Sequence, residues 1–552
     1  MNHDMPDRAA PGLRTALWLV VIVIAVWLRL WQLPMQILLD DEWHAIHRLM
    51  QADWQAIALS FGLADYSIPL TLLFNGLYET VGLAEWHMRA LPLFFGLATV
   101  VLVPLALRPW LDWRERWLLA LLIALSPLLI YYTRLVRPYA PVVLMGCLAM
   151  IALWRWWHDE DRRWLWLFVP AAVLSAWLHA LTAVFTGAAL TWFGVAALIE
   201  WRRRGNPRRL LELLAVGIVT VGGCSVLILP PLLSAPQAIA EKAGVDQIGV
   251  ETLLRSWELL VGSVNPFTAL LAFVLAGLGV WQLWRRDRGF LLYWIWLVAV
   301  STVVIMLLRP AWIHHALVFV RYNAVAHPML LALMALGTAW LVTWPARAAS
   351  EQVRTIAMVV VGWLVAVVFY FTGPLPDLHR DINQFTNATR YQFDYDFERS
   401  PFAFMNELGV PDFYRDIAAE PGSWEVIETP WHFETSMSLL QEYQPVHGRR
   451  VRIGMISGLC TEWTWGEIEP DKAGRIDLPQ FVFLSDLVDG SIAERNRFVV
   501  FRLQPAFEPV RELPPVDECV TAFRESFGAP WYEDEGHVVF RVVDGGSASP
   551  SS

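Results

Sequence analysis

Lysine is nearly absent: Lys242 and Lys472 are the only two in 552 residues, and arginine supplies the rest of the 42 basic side chains. That scarcity reads as the coding bias of a GC-rich genome and carries no function. An excess of positive charge is missing too. Fifty-two acidic residues leave a net charge of −10, which argues against a nucleic-acid partner, because phosphate backbones call for a basic surface. Cysteine is limited to four residues. Cys147 and Cys224 fall in apolar stretches and read as packing residues. Cys460 and Cys519 fall in a polar region, where a disulfide is permitted if that region lies outside the cytoplasm. The chain contains no H-x-x-x-H, C-x-x-C or G-x-S-x-G pattern and no P-loop. Nothing therefore points to a zinc site, acyl transfer or ATP, and no cofactor or metal is expected.

Long apolar blocks are what the sequence does have. Hydrophobic residues make up 56% of the chain, and the mean hydropathy is +0.43. Blocks long enough for a bilayer-crossing helix, ~20 residues, recur from Leu13 to about Thr372 and then stop. About eleven spans fit this pattern, at 13–33, 89–107, 117–132, 139–157, 164–180, 182–200, 210–233, 266–284, 290–308, 322–344 and 354–373. The first has no small-x-small cleavage pattern after it and reads as a retained span, not a signal peptide. A shorter apolar segment, Ile68 to Val81, reads as a helix along the membrane surface. The expected fold is mainly α: a polytopic helical membrane domain, residues 1–373, with a C-terminal α/β soluble domain, residues 374–552. In that second part, helix-like Phe413 to Ala419 and Phe433 to Tyr443 alternate with strand-like Trp424 to Ile427, Val451 to Ile456, Phe481 to Leu484, Phe498 to Leu503 and Val538 to Val543. Its Trp424, Trp431, Trp463 and Trp465 read as packing residues more readily than as sugar-stacking platforms.

Charge orients the spans. Arg108, Arg114 and Arg116; Arg155, Arg162 and Arg163; Arg202 to Arg204, Arg208 and Arg209; Arg285, Arg286 and Arg288; and Arg347 with Arg354 occupy alternate connections. The positive-inside rule makes that side cytoplasmic. An odd number of spans then puts the C-terminal domain outside, so a multi-pass protein of the cell inner (plasma) membrane with an extracytoplasmic C-terminal domain is expected.

The opposite side carries the unusual residues. Asp40, Asp41 and Glu42 stand together after the first span and open a helical stretch. One acid caps a helix; three in a row invite a second role, such as a general base that deprotonates an acceptor hydroxyl. A metal site shared with His44 or His47 is the competing functional reading. The segment YYTRLVRPYA places Arg134, Arg137 and Tyr139 at an outer membrane edge, and Arg321 and Tyr322 stand in a similar place. Tyrosine and snorkelling arginine are ordinary interfacial anchors. Arginine on the side that positive charge avoids nevertheless suggests an anionic partner, and guanidinium matches phosphate in charge and geometry. His44, His179 and Tyr322 are weaker candidates for substrate contact.

In order and spacing these elements resemble the membrane glycosyltransferases of the C superfamily, notably relatives of the dolichyl-phosphate-mannose protein mannosyltransferases and of the bacterial aminoarabinose transferase. The features that carry the resemblance are Asp41-Glu42 after the first span, the run from Pro69 through Gly82, Glu85, Arg89 and Pro92, the segment SPLLIYYTRLVRPYA, and RYNAVAHP. The chain departs from the family pattern with RALP at 89–92 and Ser67-Ile68-Pro69. The resemblance implies an inverting hexosyl or pentosyl transfer from a polyprenyl-phosphate sugar to a protein, lipid or glycan acceptor, with no metal. Asp41 would act as the base, assisted by Asp40 and Glu42, and the arginines would hold the leaving phosphate. A lipid or glycan transporter is the alternative. It would place ionisable groups near the bilayer midplane and show inverted repeats, and neither is visible here.

Overall fold

The computed structural model describes residues 11–31, 33, 38, 42–62, 67–240, 242–345, 349–376, 410–430, 440–456, 458–460, 481–491, 496–503 and 516–543. The helices of the first part are α1 (Pro11–Leu30), α2 (Trp43–Gln51), α3 (Trp54–Leu59), α4 (Ile68–Thr80), α5 (Glu85–Ala106), α6 (Trp113–Leu125), α7 (Pro127–Arg134), α8 (Tyr139–Asp159), α9 (Arg163–Leu178), α10 (Ala183–Arg204), α11 (Arg208–Ser234), α12 (Pro236–Ala240), α13 (Val250–Val261), α14 (Pro266–Leu308), α15 (Ala316–Tyr322), α16 (His327–Thr343) and α17 (Glu351–Thr372). The C-terminal part holds α18 (Phe413–Ala419), β1 (Trp424–Thr429), α19 (Leu440–His447), β2 (Arg450–Met455), β3 (Phe481–Phe483), α20 (Leu484–Val488), β4 (Asn496–Arg502), α21 (Asp517–Phe527), β5 (Tyr532–Glu533) and β6 (His537–Val542).

Eight helices among the described residues are long and apolar enough to cross a bilayer, and the bent pair α6–α7 makes nine. Two further spans come from particular residues. Helix α14 has 43 residues, about 65 Å at ~1.5 Å per residue, twice the ~30 Å hydrocarbon core. Its backbone leaves the helical region at Asp287. Its start meets α13, where Trp257 Nε1 donates to the carbonyl of Ala269 (3.1 Å), and the connection six residues past its end meets α13 again, where Thr252 Oγ1 donates to the carbonyl of His314 (2.8 Å). A helix of 12 residues, about 18 Å long, with six residues of connection, ~20 Å at most, cannot bridge a straight rod of about 65 Å, so α14 folds back at Asp287 and forms two spans. Helix α9, a shorter and mostly apolar helix of 16 residues, is counted as the other. Eight plus one for the α6–α7 pair, one for the second half of α14 and one for α9 gives the eleven read from the sequence. The outer surface of the bundle is itself apolar, with Ile218 71% and Val226 73% exposed. A soluble protein avoids contiguous patches of this kind, whereas lipid requires them.

Local sequence sets the helix starts. Asp112 accepts from the amides of Arg114 and Glu115 (2.8 and 2.9 Å), and the Glu115 carboxylate accepts from the Asp112 amide (2.8 Å), a reciprocal cap for α6. Asn265 caps α14 in the same way through Phe267 and Thr268. Inside a bilayer the helices gain little from hydrophobicity, so close approach matters. A Cβ on Gly279 or on Gly337 would collide with the backbone of the facing helix, at Leu333 and Leu275 respectively. These two glycines let α14 and α16 meet backbone to backbone.

The C-terminal sheet has the order β3-β2-β1-β4-β6-β5. β1 is parallel to β2 and β4, β2 is parallel to β3, and β6 is antiparallel to β4 and β5. Both faces are covered, one by Phe413, Tyr414, Ile417 and Tyr443, the other by Val516, Cys519 and Phe523, which is why β4 reads as a nearly continuous apolar run. Trp424 lies in this core and donates to the carbonyl of Pro421; Trp431, Trp463 and Trp465 lie outside the described residues. Cys460 and Cys519 form a disulfide with a Cα–Cα distance of 5.0 Å.

Two buried groups give this domain opposing responses to pH. Burial, with the charge of Arg449 adding to it, holds His447 down at about 3 from 6.5, and its Nδ1 accepts from the Arg449 amide (3.0 Å). Burial pushes Glu428 up to about 6 from 4.5, against Arg502 and the hydrogen bond from Tyr414 (2.7 Å). The stability owed to neutral His447 is complete above pH 6.5 and drains away as pH falls toward 3. The stability owed to protonated Glu428 is complete below pH 4.5 and is lost as pH rises through 6. Between 6 and 4.5 the two offset each other; below 4.5 only His447 acts. His447→Gln is expected to flatten the acid loss of melting temperature below pH 4.5. Glu428→Gln is expected to remove the plateau above it. Thermal melts of the detergent-solubilised protein at stepped pH measure both.

Candidate functional site

The segment SPLLIYYTRLVRPYA folds as a bent span followed by a new helix. Ser126 caps α7 by accepting from the Leu129 amide (3.4 Å), and Pro127 takes the first helical position, where no N–H is needed. The chain bends by 58° between α6 and α7. Pro138 then precedes α8, so Arg137 and Tyr139 flank the start of a 21-residue helix. The positive end of its dipole lies at the same place.

Residues from three elements meet there. Nη1 of Arg321, in the last turn of α15, donates to the Tyr139 hydroxyl (2.8 Å). The Arg321 guanidinium lies 5.4 Å from the Tyr139 ring centre and 5.7 Å from that of Tyr322, and that of Arg137 lies 5.9 Å from the Tyr139 ring. His179, where α9 ends, is 5.4 Å from Tyr322 and 6.2 Å from Tyr139, ring to ring, and within the electrostatic reach of both Arg321 and Arg137. Arg137, His179, Arg321 and Tyr322 are all half-buried. The group is thus two cations and three rings at one place.

Arg134 stands apart from this group. It is 1% exposed, and its Nη1 donates to the carbonyls of Arg29 and Trp31, both 2.8 Å. These two bonds tie it to the end of α1. Glu42 is also committed. Its buried carboxylate accepts from the Val136 amide (2.7 Å) and lies 3.6 Å from Arg89. Arg89 pairs with Glu85 (2.8 Å) and donates to the carbonyl of Arg134. His44 is buried in the first turn of α2. Asp40 and Asp41 lie outside the described residues, as does the side chain of His47. No cluster of three metal-binding side chains occurs among the described residues.

Two structural arginines escaped the sequence reading as such. Arg29 looked like an ordinary span-end cation; it is fully buried and donates to the carbonyls of Ala124 (3.0 Å) and Ile123 (3.2 Å). Arg89 appeared only within a motif. Together with Arg134 they tie α1, α5, α6 and α7 to one another. Arg89→Met is expected to destabilise the protein by about 3–5 kcal/mol, since it strands Glu42 and Glu85 without their buried counter-charge. A melting curve of the purified variant checks this, and a melting temperature near the parent's would refute it.

Comparison with known proteins places these observations beside others. A family of unknown function, DUF6541, matches residues 139–412. No curated protein matches. The fold is similar to that of ArnT from Cupriavidus metallidurans bound to undecaprenyl phosphate, at 14% identity and a TM-score of 0.45, covering 97% of this chain and 98% of that one. The apo state of the same ArnT gives 13% identity and a TM-score of 0.46, over 96% and 98% of the two chains.

Proposed function

We propose that this protein is a membrane glycosyltransferase that moves a hexose or pentose from a polyprenyl-phosphate donor to an acceptor on the extracytoplasmic face. The observation that carries the proposal is the meeting of Arg137, Tyr139, His179, Arg321 and Tyr322 at one end of the helical bundle. Glu42 is at the same end, since it accepts from the amide of Val136, the residue before Arg137.

In this reading Arg137 and Arg321 hold the donor phosphate, helped by the dipole of α8. The lipid-facing helices receive the polyprenyl chain. Tyr139, Tyr322 and His179 wall the sugar. Asp41, next to Glu42 in the chain, takes the proton from an acceptor hydroxyl. The hydroxyl oxygen attacks the anomeric carbon opposite the phosphate, the carbon–phosphate-oxygen bond breaks, and the configuration inverts. Neither metal nor cofactor has a part in these steps. The disulfide Cys460–Cys519 supports an oxidising, extracytoplasmic setting for the C-terminal domain.

Purified protein supplied in parallel with polyprenyl-phosphate sugars and with nucleotide sugars tests the proposal. Transfer is expected from the lipid-linked donors alone; transfer from a nucleotide sugar would overturn it. Single cysteines placed near Arg204 are expected to label only from the cytoplasm, and those placed after Gly373 only from outside.

A further inference from the structure

Helix α2 directly follows the acidic run, and its own sequence does not secure it. It has nine residues, and helices below about 12 residues are marginal in isolation. Glu42 stands at its N-cap position, yet makes no side-chain cap, since its carboxylate is spent on Val136 and Arg89. α2 therefore holds its place by packing. Its apolar residues Ala45, Ile46 and Leu49 are buried in a cluster with Leu38, with Leu70, Phe74 and Tyr78 of α4, and with Val136.

The same cluster contains Ile453 and Met455 of β2, with Phe483 of β3 packed against it. Met455 and Phe483 are register partners, so the three side chains form an apolar pad where two parallel strands end. Gly454 lets β2 run close to β1 on the other face, where a Cβ would stand 2.8 Å from Thr429 Cβ and 2.9 Å from Ile427 Cγ2. The pad is thus backed by the sheet and cannot easily retreat from α2.

We infer that the C-terminal domain acts as a clamp on α2: Ile453 and Met455 are positioning residues that fix this helix, whose N-cap residue Glu42 bonds to Val136 and is the sequence neighbour of the proposed base. The catalytic part of this inference rests on the glycosyltransferase reading; the clamp itself does not. It gives the C-terminal domain a defined role in turnover, and any acceptor that displaces the sheet would act on the base through α2.

The test uses the full-length protein and the double variant Ile453→Ala/Met455→Ala, with Ile453→Val/Met455→Leu as the conservative control. Amide exchange in residues 44–51 is expected to speed up about tenfold or more in the alanine variant while amides of α8 and β4 keep their protection. The value of kcat for transfer is expected to fall about tenfold, since a misplaced base loses its alignment. Binding of polyprenyl phosphate, used as the probe for the arginine site, is expected to stay within about twofold of the parent. The conservative control is expected to restore all three. Unchanged exchange in α2 would overturn the clamp. Faster exchange with unchanged kcat would overturn the positioning role. A fall in kcat with equal loss of protection in β4 would mean simple unfolding of the sheet and would overturn it as well. Loosened α2 in a parent protein that transfers no sugar from any lipid donor would support the clamp and sink the glycosyltransferase reading instead.

Discussion

Asp41→Asn is expected to abolish sugar transfer, with kcat reduced by ~10²–10⁴, the usual contribution of a positioned general base. The substitution is isosteric, and an amide takes up a proton too weakly to serve. Expression, melting temperature and binding of the lipid donor are expected to stay near those of the parent, because the neighbouring acid carries the structural burden. Glu42 accepts from Val136 and pairs with Arg89. Asp40→Asn is expected to be milder than Asp41→Asn, as Asp40 is held to orient the segment. Glu42→Gln is expected to behave differently from both: it removes the charge facing Arg89, lowers the melting temperature and reduces activity only as a consequence. Steady-state transfer and thermal melts on the three variants separate base from scaffold. Near-normal turnover in Asp41→Asn would reject the assignment.

The contacts of Glu42 were not legible in the sequence. The run Asp40-Asp41-Glu42 marks a place, but the partners that define Glu42 stand 94 residues away at Val136 and near Arg89. The same holds for the arginines. Arg134 and Arg137 are three apart on one segment and look alike by charge and depth. Only the fold shows that one reaches the carbonyls of Arg29 and Trp31 while the other flanks the start of α8 beside Tyr139. Charge counting reports which side of a membrane a cation is on, not what it bonds to.

The helical architecture was far more legible, for a physical reason. Each span must satisfy its backbone internally and cover its length with apolar side chains, so length and hydropathy suffice to find it. The run Arg285–Arg288 inside α14 broke the apolar pattern at the place where the backbone departs from helix, at Asp287. In the C-terminal domain β1, β2 and β4 were readable because both faces are buried. Strand β5 has two residues, and α21 carries four charges in eleven positions, so neither offered a clear apolar period. The pad of Ile453, Met455 and Phe483 read only as strand core; nothing in its sequence says that it faces α2.

Arg137→Ala is expected to weaken binding of the lipid-phosphate donor by about 1.5–3 kcal/mol, roughly 10- to 150-fold in Kd, the worth of one charged hydrogen-bonding contact. Arg137→Lys keeps the charge but loses the planar fork that matches two phosphate oxygens, so affinity is expected to fall in that variant as well, by less. Arg321 holds a hydrogen bond to Tyr139 in addition to any anion, so Arg321→Ala removes a cation and frees the ring that both guanidinium groups approach. The two alanine substitutions share a partner in Tyr139 and are expected to be non-additive, with the double variant weaker than either single one yet stronger than their product predicts. Tyr139→Phe isolates the hydroxyl: it is expected to reproduce part of the Arg321→Ala effect and none of the Arg137→Ala effect, because only Arg321 bonds to that oxygen among the described residues. Titration of purified protein with a polyprenyl-phosphate sugar, at low and high salt, measures all five variants. Affinity for the lipid donor that is unchanged in Arg137→Ala would remove the phosphate from this site and the proposed mechanism with it.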